Sequence, residues 1–214
     1  MTDRWSAVAT LADASRRALY DYVRRQDHPV GREEAAEATA MSRNLAAFHL
    51  DKLVDAGLLT ARYEAPAGRP RGRGRAPKVY EPSGDGLEVT IPQRHYELIA
   101  DILAEAVADD RAPVRDTAAR VAHRRGRDLG GTLHGSGVLA ALAGLGFEPE
   151  AGPDGVRLHN CPFHALAVRH TALVCGLNRE FVAGLLDGLG VSAQARLAPR
   201  PGACCVEVTT APPG

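Results

Sequence analysis

All four cysteines of this 214-residue chain lie in two short stretches, "NCPFHALAVRHTALVC" at residues 160–175 and "GACCVEV" at 202–208. Thiolates are soft donors, so a gathered set of them selects zinc or an iron–sulfur cluster over magnesium or calcium. His164 adds an imidazole to the same stretch. Without a metal, such a set is also open to direct thiol oxidation. A blander reading treats the four as small buried hydrophobes, as free cysteine often is. That reading gives no reason for a vicinal pair and two further cysteines to share the last quarter of the chain.

One site can hold them only if the chain folds back. On a single straight helix Cys161 and Cys175 would stand about 21 Å apart, at ~1.5 Å per residue. A bend near His170 and Thr171 predicts a short helix with Pro162 at its first position, then a longer one, "ALVCGLNREFVAGLLDGLG", striped by Leu173, Leu177, Phe181, Leu185 and Leu189. Counting outward from the bend, His164 comes level with Cys175, and Cys161 lies one turn below it. Cys204 and Cys205 fall in "AQARLAPRPGACCVEVTT", which reads as two strands joined at "APRPG". A regular strand aims only one of two neighbours at a site, whereas a bulge or a strand end can aim both. The expected metal ligands are therefore Cys161, Cys175 and one or both of Cys204 and Cys205, with His164 as the other candidate. Upstream, "GSGVLAALAGLGFEPEAGPDGVRLHN" predicts a helix, a strand around Phe147, a turn at "GPDG" and a strand into Cys161. Residues 132–214 read as a small α+β sensory module.

The amino-terminal third carries a different pattern. Residues 5–25 predict one helix, and "HPVGREEAAEATA" a short second one with Glu33 and Glu34 near its positive end. In "MSRNLAAFHLDKLVDAGLLTARYE", Ser42 caps a third helix whose expected buried side is Leu45, Phe48, Leu50, Leu53 and Val54. Gly57 ends it, and "LLTARYE" alternates like a strand. The basic run "APAGRPRGRGRAPKVYEPS" holds Arg69, Arg71, Arg73, Arg75 and Lys78, with a second strand at "KVYEP". Three helices, a strand, a basic loop and a strand make the order of a winged helix-turn-helix, in which a helix enters the ~12 Å major groove. The arginine loop would lie on phosphates or in the minor groove.

"LADASRRALYDYV" and "SRNLAAFHLDKLVDAGLL" resemble ArsR-type winged-helix regulators over roughly residues 5–82. The resemblance implies that Ser42, Arg43, Asn44 and His49, with Lys52, face the groove, and that Arg69, Arg71, Arg73, Arg75 and Lys78 contact DNA. The metal-sensing cysteines some members carry in these helices are absent here. "NCPFHALAVRHTALVCGLNREFVAGLL" with "GACCVEV" resembles the sensory half of SufR-type iron–sulfur repressors and their actinobacterial relatives. It implies an iron–sulfur cluster, with zinc as the alternative, on Cys161, Cys175 and the carboxy-terminal pair. In those relatives the last two cysteines are spaced apart, whereas here they adjoin.

Between these ends, "PQRHYELIADILAEAVADD" and "APVRDTAARVAHRRGRDLGG" predict two helices, the first striped by Tyr96, Ile99, Leu103 and Val107, the second closed by Gly130 and Gly131. Repressors of this kind bind two half-sites as dimers, so the segment 93–130 is the expected seam of a homodimer. The sequence thus predicts an α+β chain in three parts: a DNA-binding domain at 1–86, a helical linker and dimerisation segment at 87–131, and the cysteine module. Lys and Arg number 26, as do Asp and Glu, so net charge decides nothing. The start lacks a basic, then apolar, leader, and no apolar run is long enough for a membrane, so a cytoplasmic protein is expected. No nucleophile–base pair, phosphate-binding glycine loop or "HExxH" points to an enzyme. The expected function is a transcriptional regulator acting on double-stranded operator DNA, its affinity set by the bound cluster or metal. A metal-free thiol switch, or a structural zinc module answering to an organic ligand, stand as the alternatives.

Overall fold

Asp13 divides the first helical run in two. In the computed structural model, which describes residues 4–64, 76–84 and 86–210, α1 spans Arg4–Leu11 and α2 Ala14–Arg24. The Asp13 backbone is extended, and its carboxylate accepts from the Arg16 N–H at 2.9 Å, which is the geometry of an N-cap and not of a helix interior. The single helix expected over 5–25 is therefore two. A two-residue strand β1, Val30–Gly31, leads into α3, Arg32–Ala38, with Glu33 and Glu34 in its first turn. A tight turn follows, in which Ala40 takes a positive φ of 54° and the Met41 N–H returns to the Ala36 carbonyl.

Ser42 then caps α4, Arg43–Asp55, its hydroxyl accepting from the Leu45 N–H. Strands β2, Leu59–Tyr63, and β3, Lys78–Pro82, pair antiparallel with Ala61 opposite Tyr80, and β1 joins the far edge of β3. Leu19, Val23, Leu50, Leu53, Leu59 and Tyr80 fill the core of this unit.

The chain divides into two compact units, Met1–Val89 and Thr90–Gly214. Residues 87–131 do not form a body of their own. The two helices expected there, α5 at Tyr96–Ala108 and α6 at Val114–Thr132, belong to the second unit. Ile99, expected at a dimer seam, is buried in that unit's own core with Ile102, while Val107 stays exposed.

The remaining elements of the second unit are α7 (Val138–Gly144), β4 (Pro149–Gly152), β5 (Gly155–Leu158), α8 (His164–Arg169), α9 (Thr171–Leu189), β6 (Ala193–Leu197) and β7 (Val206–Thr210). The strands form an antiparallel sheet in the order β4-β5-β7-β6. The strand expected around Phe147 starts two residues later, and Phe147 itself is a buried core residue.

Helices α6 and α9 make the most extensive contact in the molecule, and glycine is the reason. A Cβ on Gly126 would overlap the Phe181 carbonyl oxygen, and one on Gly184 the His123 carbonyl oxygen. Gly130 and Gly188 face Leu185 and Arg127 carbonyls in the same way. Gly130, expected to end α6, is thus a packing residue inside it.

The mixed α+β class expected from the sequence is the class observed. Among the described residues no helix is long and apolar enough to cross a membrane.

Candidate functional site

The helix break expected at His170 is present. His170, at φ −134° and ψ 49°, separates α8 from α9, so Cys161, just before the α8 turn, and Cys175, in the second turn of α9, need not lie along one axis. Cys204 and Cys205 precede β7 and lie outside the regular ladder, with the Cys204 N–H bonded to the Leu158 carbonyl at the end of β5. A strand end frees the two neighbours from strict alternation, and each takes a different partner. Cys205 is disulfide-bonded to Cys175, with their Cα atoms 6.2 Å apart, inside the usual range for such a bond. Cys204 hydrogen-bonds to Cys161, and both are free thiols in the core. Four cysteines from three separate segments thus meet as two pairs.

The Cys161–Cys204 pair is polarised. Cys204 keeps its proton and donates it, which lowers the Cys161 thiol to about 7 against the opposing effect of burial. The Phe163 N–H and the Arg94 guanidinium favour the same thiolate. Cys204 is pushed up by that hydrogen bond to Cys161 and by its own burial. One thiol is therefore near its midpoint at neutral pH while its neighbour is held protonated. Asn178, fully buried on α9, donates from Nδ2 to Cys204 Sγ at 3.2 Å, while its Oδ1 has no hydrogen-bond partner.

A clasp holds the Cys161 backbone in place. The Arg94 guanidinium donates to the Cys161 carbonyl at 2.8 Å and to Asn160 Oδ1. Asn160, itself buried, donates from Nδ2 to the carbonyls of Gln93 and Gly146. The His95 N–H closes the clasp on the Pro162 carbonyl at 3.1 Å. Arg94, Asn160 and Asn178 were not among the residues expected from sequence. A signal for Asn178 was there: an amide one turn after Cys175 on an apolar helix.

His164 does not join the cysteines. It is the exposed first residue of α8, and among the described residues no three His, Cys, Asp or Glu side chains are grouped to hold an ion. The expectation that it stands level with Cys175 is corrected by α8 itself, whose first turn points this side chain to solvent. With the Cys175–Cys205 bond closed, Cys161 and Cys204 are the two thiols left as soft donors, too few by themselves for a closed four-ligand metal site.

On the first unit, α4 presents Arg43, Asn44 and Lys52 to solvent, with Arg43 paired to Glu33 and Lys52 to Asp55. Lys78 Nζ bonds Asp51 at 2.6 Å, and Tyr80 donates to the same carboxylate. His49 is not on this face. At about 100° per residue it falls with Ala46, Leu50 and Leu53, so it is buried, and its Nδ1 makes no hydrogen bond. Leu45 and Phe48, expected in the core, are instead exposed, because the buried arc of α4 runs through Ala46, His49, Leu50 and Leu53. Arg69, Arg71, Arg73 and Arg75 lie outside the described residues. Comparison with protein-family models, curated proteins and solved structures finds no match to this chain.

Proposed function

We propose that the chain is a transcriptional regulator that binds double-stranded DNA through α4 and the arginine-rich stretch between β2 and β3. In this reading the four-cysteine centre sets operator affinity, and its reduced thiols hold an iron–sulfur cluster or zinc. The observation that carries the reading is the meeting of all four cysteines, from three segments, at one place in the second unit. Random placement of small hydrophobes gives no such meeting. Support for the DNA-binding half comes from the α3–turn–α4 arrangement, the Ser42 cap and the β2–β3 hairpin, which have the order of a winged helix-turn-helix.

Cys161, Cys175, Cys204 and Cys205 would hold the group, and when bound it supplies sensitivity to iron supply and oxidants. Of the two free thiols, Cys161, lowered to about 7 by the hydrogen bond from Cys204, is the one more ready to act as a ligand near neutral pH. Control is linkage: a state of the centre that changes the DNA-competent population by ~1.4 kcal/mol changes occupancy tenfold. Two copies on a palindromic site complete the proposal, with the seam elsewhere than Ile99.

Anaerobic purification with a visible absorption spectrum, metal analysis and DNA binding tests this reading. A brown, iron- and sulfide-containing protein whose DNA affinity changes on cluster loss is expected. Arg43→Ala or Asn44→Ala should relax sequence preference by about 1–3 kcal/mol per lost base contact. Full affinity and specificity in both variants would sink the α4 assignment.

The Cys175–Cys205 bond favours one second reading, a metal-free thiol switch. That reading expects a colourless protein whose DNA affinity changes when the disulfide is reduced, without metal.

A further inference from the structure

The exposed arc of α4 runs through Asn44, Leu45, Phe48, Asp51, Lys52 and Asp55. Phe48 sits in the middle of it, 54% exposed, and Leu45 is 43% exposed one turn before. A single exposed apolar side chain is ordinary. Two at i and i+3, centred on the solvent face of a helix whose core side is already closed by Ala46, Leu50 and Leu53, have no part in holding this unit together. The Phe48 ring lies edge-on to His49, with the Lys52 ammonium 6.0 Å from its centroid.

We propose, resting on the DNA-binding reading above, that Phe48 and Leu45 read the 5-methyl groups of thymine in the major groove, so that the operator half-site carries thymine within about two base-pair steps of the adenine met by Asn44. The chemistry around the two side chains matches that occupant. An asparagine amide pairs with adenine N6 and N7, and the thymine methyl is the one apolar feature of the groove edge. Asn44 and Phe48 are four residues apart, about 6 Å along the helix at ~1.5 Å per residue and roughly two base-pair steps of ~3.4 Å. Arg43 and Lys52 flank the pair, each in an exposed ion pair, with Glu33 and with Asp55, and Asp51 is held by Lys78 and Tyr80. Exposed pairs of this kind are weak, so phosphates can draw Arg43 and Lys52 to themselves while the apolar centre meets the groove floor.

The test uses duplexes recovered from a random pool by the full-length wild-type chain. Each thymine is then replaced by deoxyuridine, which removes the methyl and nothing else. Loss of one buried methyl predicts about a three- to fivefold drop in affinity at one or two positions per half-site. Phe48→Ala should bind the thymine duplex more weakly and should no longer distinguish thymine from deoxyuridine. Phe48→Leu should keep part of the distinction. Because Phe48 is exposed, both variants should melt as the wild type does.

A wild-type chain that binds its selected duplex equally well with every thymine replaced overturns the inference while leaving the DNA-binding reading standing. So does a Phe48→Ala variant that keeps the full thymine preference. If Phe48→Ala turns a wild-type dimer into a monomer and no methyl dependence exists, a second copy covers the ring and the inference is wrong. If no duplex is recovered at all, the DNA-binding reading fails, and this inference with it.

Discussion

On α4, Arg43, Asn44 and Phe48 project from a helix whose fold depends on other side chains, Ala46, Leu50 and Leu53. In the second unit Cys161, Cys175, Cys204 and Asn178 are themselves core residues, each less than a tenth exposed. The first unit carries its candidate chemistry outside its own core, and the second carries it inside. Surface chemistry can be altered without touching stability, whereas buried chemistry shares its atoms with the packing. A change in the state of the cysteines is therefore also a change in the stability of the unit that holds them, and that is the property a switch needs.

The strongest attempt to break this contrast is Gly184→Val. The added side chain would collide with the His123 backbone at the α6–α9 contact, and about 3 kcal/mol or more of stability should be lost. Calorimetry should show the second unit's transition collapsing and the first unit's persisting. A uniform shift of one transition would mean that the units do not melt separately.

Reducing the Cys175–Cys205 bond comes next. It closes a stretch of 30 residues, and its loss should cost the second unit roughly 3–4 kcal/mol. Cys205→Ser should melt at the same temperature with and without reductant. A reductant effect persisting in that variant would place the sensitivity elsewhere. Asn160→Ala should cost about 1–3 kcal/mol, since it strips the clasp of its amide and leaves the Gly146 and Gln93 carbonyls without their donor. An unchanged melting curve for this variant would show that water replaces the amide.

The smallest effect expected is in the first unit. Half-exposed His28 lies between Asp27, at 3.1 Å, and Glu34, at 2.9 Å. The Asp27 hydrogen bond first, and then Glu34, raise its pKa above the ordinary histidine value. Because the folded-state value is the higher one, the pairing contributes fully below the unfolded pKa and is lost as pH rises through the folded one. An NMR titration should find a raised His28 midpoint that falls back towards the ordinary value in Glu34→Gln; a midpoint at the ordinary value in the wild type would contradict it.

Much of the local structure was legible because its signals are local. The Ser42 cap, the break at His170 and the strands at Leu59–Tyr63 and Lys78–Pro82 follow from single residues and short alternations. The cysteine meeting was legible in part: the fold-back was forced by length, and the strand-end position of Cys204 and Cys205 was one of two options. What failed was rotation about a helix axis. The apolar residues of α4 fit two overlapping arcs, and the choice between them is made by packing against the rest of the unit, which buries Ala46, Leu50 and Leu53. His49, Leu45 and Phe48 changed sides together for that reason. Likewise Gly130 reads as a helix stop in sequence, and only the presence of α9 makes it a contact. His164 depended on the direction of the first α8 turn, which counting outward from the bend does not fix.

The clasp joins Arg94 and the His95 N–H, just after the boundary at Val89, to Asn160 and Pro162. In the language of hydrogen exchange, the His95 amide, bonded to Pro162, and the Asn160 amide, bonded to Phe147, flank the same knot of bonds. Neither can open far without loosening the side chains that tie the two strands of chain together, so they should exchange with solvent as one cooperative unit. The entrance to the second unit and the residue preceding Cys161 would then share one opening frequency. An event at Cys161 that raises that frequency is registered at the same moment in the polypeptide leading back towards α4.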